Sequence, residues 1–385
     1  MRDYVDSKRR VVLRSCLTSM ARPMYSPAKA LGYVEPSTGN DGKAHLMDSS
    51  LLGFALVFTA AVAGGALAVP LKRRRKFELE NIYLPSTVVM MLILPLGMAT
   101  LVMPNWLEAM HAVGAGVVLR GVAYGFGWGI GAILFGYGVT MAGMSVGFAT
   151  IMGINTAVGS FLPLLLQSSA YLFTTGGCLI MVGIAGCVAG VVVCGRGGLL
   201  RERQIGFSPK DHRFGRALLV CVASGLLSSC ANLGFAFTSR AGEEAQRLGA
   251  SPVFSTLASW LPVFWGAAAS LLFWFGGLQI WRGTWRNNIG SDAVHDWLNG
   301  ALMGVIWFVA TIPYGMGAYY LGRLGTSVGW AVYLAFTLLV ANLFGFITHE
   351  WKGTSVKARR TLYAGLSVLL VAVFVLAIGN SMTGH

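Results

Sequence analysis

Long apolar stretches without a single charge dominate the pattern of this chain. Residues 121–195 contain no Lys, Arg, Asp, Glu or His over 75 consecutive positions. A helix needs roughly 20 apolar residues to cross the ~30 Å hydrocarbon core of a bilayer. This stretch therefore predicts three successive membrane-spanning helices, with turns near Gly143 and Gln167, where small and polar residues interrupt it.

Seven further stretches of the same kind predict seven more spanning helices. They are continuously apolar, whereas the strands of a membrane β-barrel alternate apolar and polar residues. With 55% apolar and 11% charged residues, the whole composition is typical of membrane proteins. We expect an all-α integral membrane protein with ten transmembrane helices. The seven additional stretches are residues 49–71, 81–107, 217–239, 248–281, 297–322, 324–348 and 361–384.

The small residues of the predicted helices indicate a closely packed bundle. The chain has 51 glycines, many inside the helices, where they let two backbones approach in lipid. Five of the six cysteines also lie in or at the ends of the helices, without metal or redox spacing. We interpret them as small apolar residues and expect no metal and no cofactor. These cysteines are Cys178, Cys187, Cys194, Cys221 and Cys230.

The net charge of +14 is concentrated in alternate loops. Basic residues cluster after the first, fifth, seventh and ninth predicted helices, whereas the even-numbered loops carry only Arg120, Arg240, Arg247 and Arg323. Because cytoplasmic loops carry the basic excess, we expect the odd-numbered loops to be cytoplasmic and both termini to be periplasmic. The basic runs then reflect topology. Docking to lipid headgroups is a lesser alternative, and we expect no nucleic-acid partner.

The N-terminal segment conflicts with that topology, because its first 46 residues carry eight basic side chains. It has no apolar run of the kind found in signal peptides. Since it is rich in Ser, Pro, Gly and charge, we expect residues 1–48 to form a disordered extension. Our hypothesis is that Met47 is the true start, which mass spectrometry of the native N-terminus would test.

An internal repeat connects the two halves of the chain. A shift of 179 residues superposes glycines and a tryptophan, and Ser-Val-Gly follows in both copies after three extra residues. The copies lie five helices apart, an odd number, so we predict two inverted five-helix repeats, residues 49–215 and 216–385. Inverted repeats allow alternating access in secondary transporters. The superposed pairs are Gly125 and Gly304, Trp128 and Trp307, Gly136 and Gly315, Gly138 and Gly317, and Gly143 and Gly322.

Several motifs carry a resemblance to a known family. They include Pro-Leu-Lys-Arg-Arg-Arg-Lys-Phe-Glu-Leu-Glu at residues 70–80, Trp-Gly-Ile-Gly at 128–131 and Gly-Met-Ser at 143–145. With Pro252 after the 243–249 stretch, and Glu-Trp at 350–351, the chain resembles the L-rhamnose–proton symporters of the drug/metabolite transporter superfamily. The resemblance covers residues 53–380. It implies a bacterial inner-membrane location and uptake of a sugar with a proton.

One stretch departs from that family. Where the family continues with Asn-Ile-Asn-Tyr, this chain has Ala-Ile-Leu-Phe at residues 132–135. Losing a buried hydrogen-bond partner costs about 1–3 kcal/mol, so a different or less polar ligand is expected if those amides contact substrate. An exporter or exchanger of another small metabolite in the same fold is therefore the alternative.

Aromatic and amide side chains are the candidates for sugar binding. Sugar sites combine aromatic faces with a few polar groups directed at hydroxyls. Trp307 and Tyr314 share one face of the eighth helix, and Trp128 and Phe135 form the matching pair on the third. Packing or an interfacial belt is the alternative for these aromatics. The polar candidates are Tyr137, Asn155 and Asn232, with joining of helices as their alternative role.

Proton coupling has no candidate at the centre of a predicted helix. Intramembrane carboxylates or histidines usually carry it, and the nearest here are Glu80 and Glu350 at helix ends. Each has a salt bridge or a helix cap as its alternative role. Without a nucleophile, metal ligands or paired acids at depth, the chain is not expected to be an enzyme. The expected partners are a small sugar, a proton and the lipid bilayer.

Overall fold

The structure is a computed structural model. It describes residues 40–67, 69–70, 73–204, 214–290, 293–347, 349 and 351–383, with the side chains of residues 40–48 and 214 left aside. Within these ranges the chain is helical and contains no β-strand. Among the described residues, the N-terminal helix is Asn40–Ala66. Residues 1–39 of the expected disordered extension lie outside the described residues, and the boundary at residue 48 and the start at Met47 remain predictions.

In the part of the chain that the structure describes, ten helices are long and apolar enough to cross a membrane, which confirms the predicted number of transmembrane helices. We name them α1 to α10 and number each loop by the helix that it follows. The spanning parts are Ser49–Ala66 (α1), Leu79–Val102 (α2), Ala115–Ala142 (α3), Met144–Gln167 (α4), Thr175–Gln204 (α5), Gly215–Arg247 (α6), Pro252–Arg282 (α7), Ala293–Tyr320 (α8), Gly322–Ile347 (α9) and Val356–Thr383 (α10).

The two turns expected within residues 121–195 are confirmed. The chain reverses between α3 and α4 at the single residue Gly143, whose φ of 91° suits glycine. After α4 ends at Gln167, a short 3₁₀ turn, Ser169–Tyr171, leads to α5.

Backbone irregularities are confined to a few places. A π-helical turn, Val89–Ile93, widens α2 just before Pro95. Three consecutive helical segments make up the sixth helix: Phe214–Ser228, Cys230–Phe237 and Ser239–Arg247. A further short helix, Trp106–Ala112, lies in loop 2.

Six helices form a closed ring. Consecutive neighbours around it are α3, α6, α4, α9, α1 and α8, and α8 meets α3 where the rings of Trp307 and Trp128 touch. Two helix pairs flank the ring. The α5–α10 pair packs on α4 and α9, and the α2–α7 pair packs on α3 and α8.

Equivalent positions of the two halves make equivalent contacts. A Cβ on Gly121 of α3 would lie 2.6 Å from Pro262 of α7, and one on Gly300 of α8 would lie 2.5 Å from Pro85 of α2. Gly121 and Gly300 are related by the same 179-residue shift. These contacts agree with the proposed repeat, whose inverted arrangement remains a prediction.

The α5–α10 pair is a seam of glycine against leucine. Gly183, Gly190 and Gly197 recur every seven residues in α5, the spacing that keeps a seam facing one partner helix. A Cβ on each would come within 2.6 to 2.8 Å of successive residues of α10 that are also seven apart, in antiparallel order. The facing residues are Leu376, Leu369 and Leu362.

Candidate functional site

A cluster of aromatic rings fills the inside of the ring of helices. We call the end of the bundle with the even-numbered loops the even-loop end, and the opposite end the odd-loop end. The cluster extends from the middle of the bundle toward the even-loop end. Its members come from α3, α6, α7, α8 and α9. We name as the central aromatic cluster Trp128, Phe235, Trp260, Phe264, Trp307, Tyr314, Trp330 and Tyr333.

Trp128 and Trp307 meet at the middle of the bundle. Their ring centroids are 5.9 Å apart and their planes are nearly perpendicular, at 87°. Both side chains are only partly buried. This contact agrees with the proposed repeat, because residues related by a twofold axis meet each other near that axis.

Trp260 is the most enclosed member of the cluster. Its ring stacks between Phe235, at 4.7 Å, and Phe264, at 5.3 Å, and the residue is 1% exposed. Its indole Nε1 has no hydrogen-bond partner among the described residues. This nitrogen lies beside Gly315 of α8, where a Cβ would come within 2.7 Å of it. A buried N–H donor without a partner is costly, so Trp260 offers an unused donor inside the cluster.

Asn232 connects four helices through one amide. From α6, its Nδ2 donates to the carbonyl oxygens of Gly159 in α4, at 2.7 Å, and Thr326 in α9, at 2.9 Å. Its Oδ1 accepts a hydrogen bond from the hydroxyl of Tyr314 in α8. Asn232 and Tyr314 are both 0% exposed, so this arrangement is sealed from solvent.

Asn155 belongs to the same assembly. Its Oδ1 accepts from the indole Nε1 of Trp330 at 3.2 Å, and the Trp330 ring lies edge-on to Tyr314 at 5.1 Å. The structure therefore brings five of the seven expected sugar-binding residues into one site. These are Trp128, Asn155, Asn232, Trp307 and Tyr314.

The other two expected residues lie apart from the cluster. Phe135 packs edge-on against Phe148 at 5.8 Å, closer to the odd-loop end. Tyr137 is 42% exposed, and its ring contacts Trp274 at 6.2 Å on the outside of the bundle. The apolar sequence around Tyr137 indicates that it lies deep in the membrane span. It does not indicate whether its side chain faces the bundle or the lipid.

Glu80 is buried at the odd-loop end, at the start of α2. One carboxylate oxygen accepts from the Thr284 hydroxyl at 3.1 Å, and the other lies 3.5 Å from Nη1 of Arg282. The Gln279 amide donates to the Glu80 backbone carbonyl at 2.8 Å. Glu80 thus joins α2 to the end of α7. Glu350 lies outside the described residues.

Asp296 is a buried acid that the sequence interpretation missed. Helix α8 begins at Ala293, not at 297 as expected, so Asp296 lies in its first turn. Its carboxylate accepts from the backbone N–H groups of Arg75, Lys76 and Phe77 at 2.6 to 3.1 Å. This carboxylate holds loop 1 on the start of α8.

Sequence reasoning also missed Phe235, Trp260 and Trp330. The sequence contained a signal for Trp330. When the three extra residues after Gly322 are allowed for, the internal repeat aligns Phe148 with Trp330. The two copies even share a contact, since Phe135–Phe148 and Tyr314–Trp330 are both edge-on pairs at equivalent positions.

The chemistry of the cluster suits a neutral, hydroxyl-bearing solute. It presents aromatic faces, amides, a phenol and an indole N–H, without an ionised group. Aromatic faces cover the C–H side of a sugar ring, while amides and hydroxyls bond to its oxygens. Among the described residues, no group of three His, Cys, Asp or Glu side chains is placed to hold a metal ion.

Comparison with known proteins gives one family. The sequence model of the family described as L-rhamnose-proton symport protein matches residues 47–382. An L-rhamnose-proton symporter of Mannheimia succiniciproducens is 27% identical over 344 residues, covering 86% of this chain and 98% of the relative. L-rhamnose-proton symporters of Cronobacter sakazakii and Shigella boydii are each 25% identical, over 83% of this chain and 94% and 95% of the relatives.

Proposed function

Because this chain belongs to the L-rhamnose-proton symporter family, we propose that it takes up L-rhamnose or a related sugar together with a proton. The relatives bear that activity in their names. We place it in the bacterial inner membrane as a multi-pass carrier that works by alternating access.

One observation carries the choice of solute: the centre of the helix ring holds aromatic rings and uncharged hydrogen-bonding groups. We propose that the sugar ring lies on the faces of Trp128 and Trp307, the partly buried members of the central aromatic cluster. Asn155, Asn232 and Tyr314 then bond to its hydroxyls. The unpartnered Nε1 of Trp260 adds a donor that a sugar oxygen would satisfy.

Phe135 and Tyr137 keep weaker assignments. Phe135 lies seven residues from Trp128 on the same helix, so it is proposed as the next ring along the path toward the odd-loop end. Tyr137 has no contact with the cluster, and its assignment to substrate remains a prediction from the sequence alone.

The proposed orientation has the odd-loop end in the cytoplasm and both termini in the periplasm. The basic residues of loops 1, 5, 7 and 9 support it, because cytoplasmic loops carry the basic excess. Glu80 at that end is the proposed proton carrier among the described residues, and Glu350 remains a candidate from the sequence.

A second function, export or exchange of another small metabolite, is favoured by one observation. Ala132 lies one turn from Trp128 on the same face of α3 and is partly buried. A methyl group there offers no hydrogen bond to a sugar hydroxyl.

Uptake by purified protein in liposomes tests the proposal. We expect labelled L-rhamnose to accumulate when the outside is made acidic, and not without a pH gradient. Trp307→Ala should weaken uptake about tenfold, the loss expected for one aromatic face in a binding site. Trp281→Ala is the matched control, because Trp281 is 80% exposed at the end of α7.

Two results would contradict the proposal. If L-rhamnose, L-fucose and D-xylose all fail to move under any gradient, export or exchange of another small metabolite replaces sugar uptake as the proposed function. If Trp307→Ala and Trp281→Ala transport with the parent affinity, Trp307 is not part of the site.

A further inference from the structure

The even-loop end and the odd-loop end of the bundle are closed by different means. Toward the even-loop end, the amide of Asn232 joins α6 to α4, α8 and α9, and its oxygen accepts from Tyr314. The indole of Trp330 adds a bond from α9 to Asn155 of α4. Hydrogen bonds thus fasten every helix of the ring on that side except α1 and α3.

The equivalent positions toward the odd-loop end lack these bonds. The 179-residue shift relates Tyr314 to Phe135, which has no hydroxyl, and Trp330 corresponds to Phe148. The two phenylalanines keep the edge-on ring contact, at 5.8 Å. At these two positions an apolar ring contact therefore takes the place of the Tyr314 hydroxyl and the Trp330 indole N–H. The ring helices α6 and α3 are joined on this side by a hydrogen bond from the Ser224 hydroxyl to the Gly131 carbonyl, at 2.9 Å.

The flanking helices show the same difference. In the repeat alignment that pairs Pro262 with Pro85, Trp260 corresponds to Tyr83. Trp260 enters the central cluster and stacks between two phenylalanines. Tyr83 instead stacks on Phe275 in the α2–α7 pair, at 4.9 Å. Trp260 therefore lies inside the ring of helices on the even-loop side, whereas Tyr83 lies outside the ring.

We propose that Asn232 and Tyr314 form the gate of the even-loop end, and that this structure is the carrier with that gate closed. The inference rests on the proposed transport function. Opening the gate separates the Tyr314 hydroxyl from Asn232 and frees α8 from α6. The apolar Phe135–Phe148 contact is the weaker counterpart at the other end, which sets the resting preference of the carrier for the closed even-loop gate.

The test measures access to two single cysteines in the absence of any sugar. Ala236→Cys places a thiol one turn from Asn232 on α6, toward the even-loop end, at a position that is 2% exposed while the gate is closed. Ala132→Cys places one on the odd-loop side of Trp128, where the chain is partly buried. Labelling by a water-soluble maleimide is followed in purified full-length protein. Mass spectrometry of the two peptides distinguishes them from the native cysteines.

Tyr314→Phe removes only the hydroxyl that bonds to Asn232. We expect it to speed the labelling of Ala236→Cys about fivefold, the change in an opening equilibrium produced by one buried hydrogen bond. The labelling of Ala132→Cys should not change, because that position lies on the other side of Trp128, away from the Asn232–Tyr314 bond. Trp330→Phe, which removes the bond to Asn155, should act in the same direction.

Two outcomes would overturn the gate. One is equal labelling of Ala236→Cys in the parent, Tyr314→Phe and Trp330→Phe proteins. The other is a parallel rise at Ala132→Cys, which would mean general loosening. The sugar-uptake assay is independent of this one. Uptake of L-rhamnose with unchanged labelling rejects the gate alone, and a selective rise at Ala236→Cys without sugar uptake rejects the substrate alone.

Discussion

The two flanking pairs of helices are held together by opposite means. Along α5 and α10, glycines face leucines every seven residues, and the contact depends on shape. Between α2 and α7, the strong contacts are polar and lie at the odd-loop end, where Glu80 meets Arg282 and Thr284, and Gln279 bonds to the Glu80 carbonyl. The middle of α2 is widened by the π-helical turn Val89–Ile93.

This difference identifies the fixed and the adjustable side of the molecule. In lipid, close packing of small residues replaces the hydrophobic effect as the main attraction between helices. A seam that fits along its whole length resists any relative movement. A pair whose polar bonds lie at one end is held at its other end by side-chain packing, which adjusts more easily. Alternating access requires such adjustment of some part of the bundle.

The largest expected effect comes from filling the α5–α10 seam. Gly197→Val would place a Cβ 2.8 Å from the backbone nitrogen of Leu362, and a backbone atom has little room to give way. We expect a loss of at least about 3 kcal/mol, as for a severely overpacked core. Thermal unfolding in detergent, followed by size-exclusion chromatography, would measure it.

Gly276→Ala on α7 is the matched control for that variant. A Cβ at Gly276 has no neighbour within 4 Å, so the melting temperature should stay within error. If Gly197→Val were as stable as Gly276→Ala, the glycine seam would not be what fixes α5 to α10.

A smaller effect is expected at the odd-loop end from Asp296→Asn. The amide would direct an NH₂ group at backbone N–H donors that now bond to a carboxylate. We expect a loss of about 1–3 kcal/mol, the cost of leaving buried donors unsatisfied. Hydrogen exchange of the Arg75, Lys76 and Phe77 amides should speed up with it.

His295→Ala controls for the neighbouring imidazole ring. The His295 ring lies 3.2 Å from the Asp296 carboxylate but is 38% exposed, so its removal should cost under about 1 kcal/mol. Equal destabilisation by both variants would show that the contact with the His295 ring, and not the backbone bonds, holds loop 1.

The smallest stability effect is expected from Glu80→Gln. The Arg282 side chain is 50% exposed, so its pairing energy is largely screened, and the amide can still accept from Thr284. We expect a cost below about 1 kcal/mol. As the proposed proton carrier, however, Glu80 should be essential for acid-driven accumulation and dispensable for sugar exchange.

Uptake with a pH gradient and counterflow without one separate these two roles of Glu80. Normal acid-driven accumulation by Glu80→Gln would leave Glu80 as a structural link between α2 and α7 only.

The sequence predicted the spanning helices because uncharged length alone specifies them. It also predicted the sharp reversal at Gly143, and the internal repeat pointed to Trp128 and Trp307, which the structure brings into contact. Their role in binding remains a prediction. Such features depend on composition and spacing, which a single chain contains.

What the sequence could not provide was the side of each helix that faces inward. Tyr137 and Tyr314 have similar surroundings along the chain, yet one is 42% exposed and the other is fully buried. Asp296 was missed because the predicted helix began only after the last charged residue of the preceding loop. The helix in the structure includes Asp296, because backbone N–H groups of loop 1 bond to its carboxylate. Trp260 was missed because its function in the cluster depends on neighbours from three other helices.

The single-residue reversal at Gly143 limits how the carrier can move. With no slack between α3 and α4, neither helix can slide along the other, and close contact between Gly147 and Val139 fixes them further. The two helices are therefore tied together next to the turn, while α6 lies between them further along. Probes attached to α3 and α4 next to Gly143 should therefore keep a constant separation throughout the cycle, which makes this turn a suitable reference for measuring displacement elsewhere.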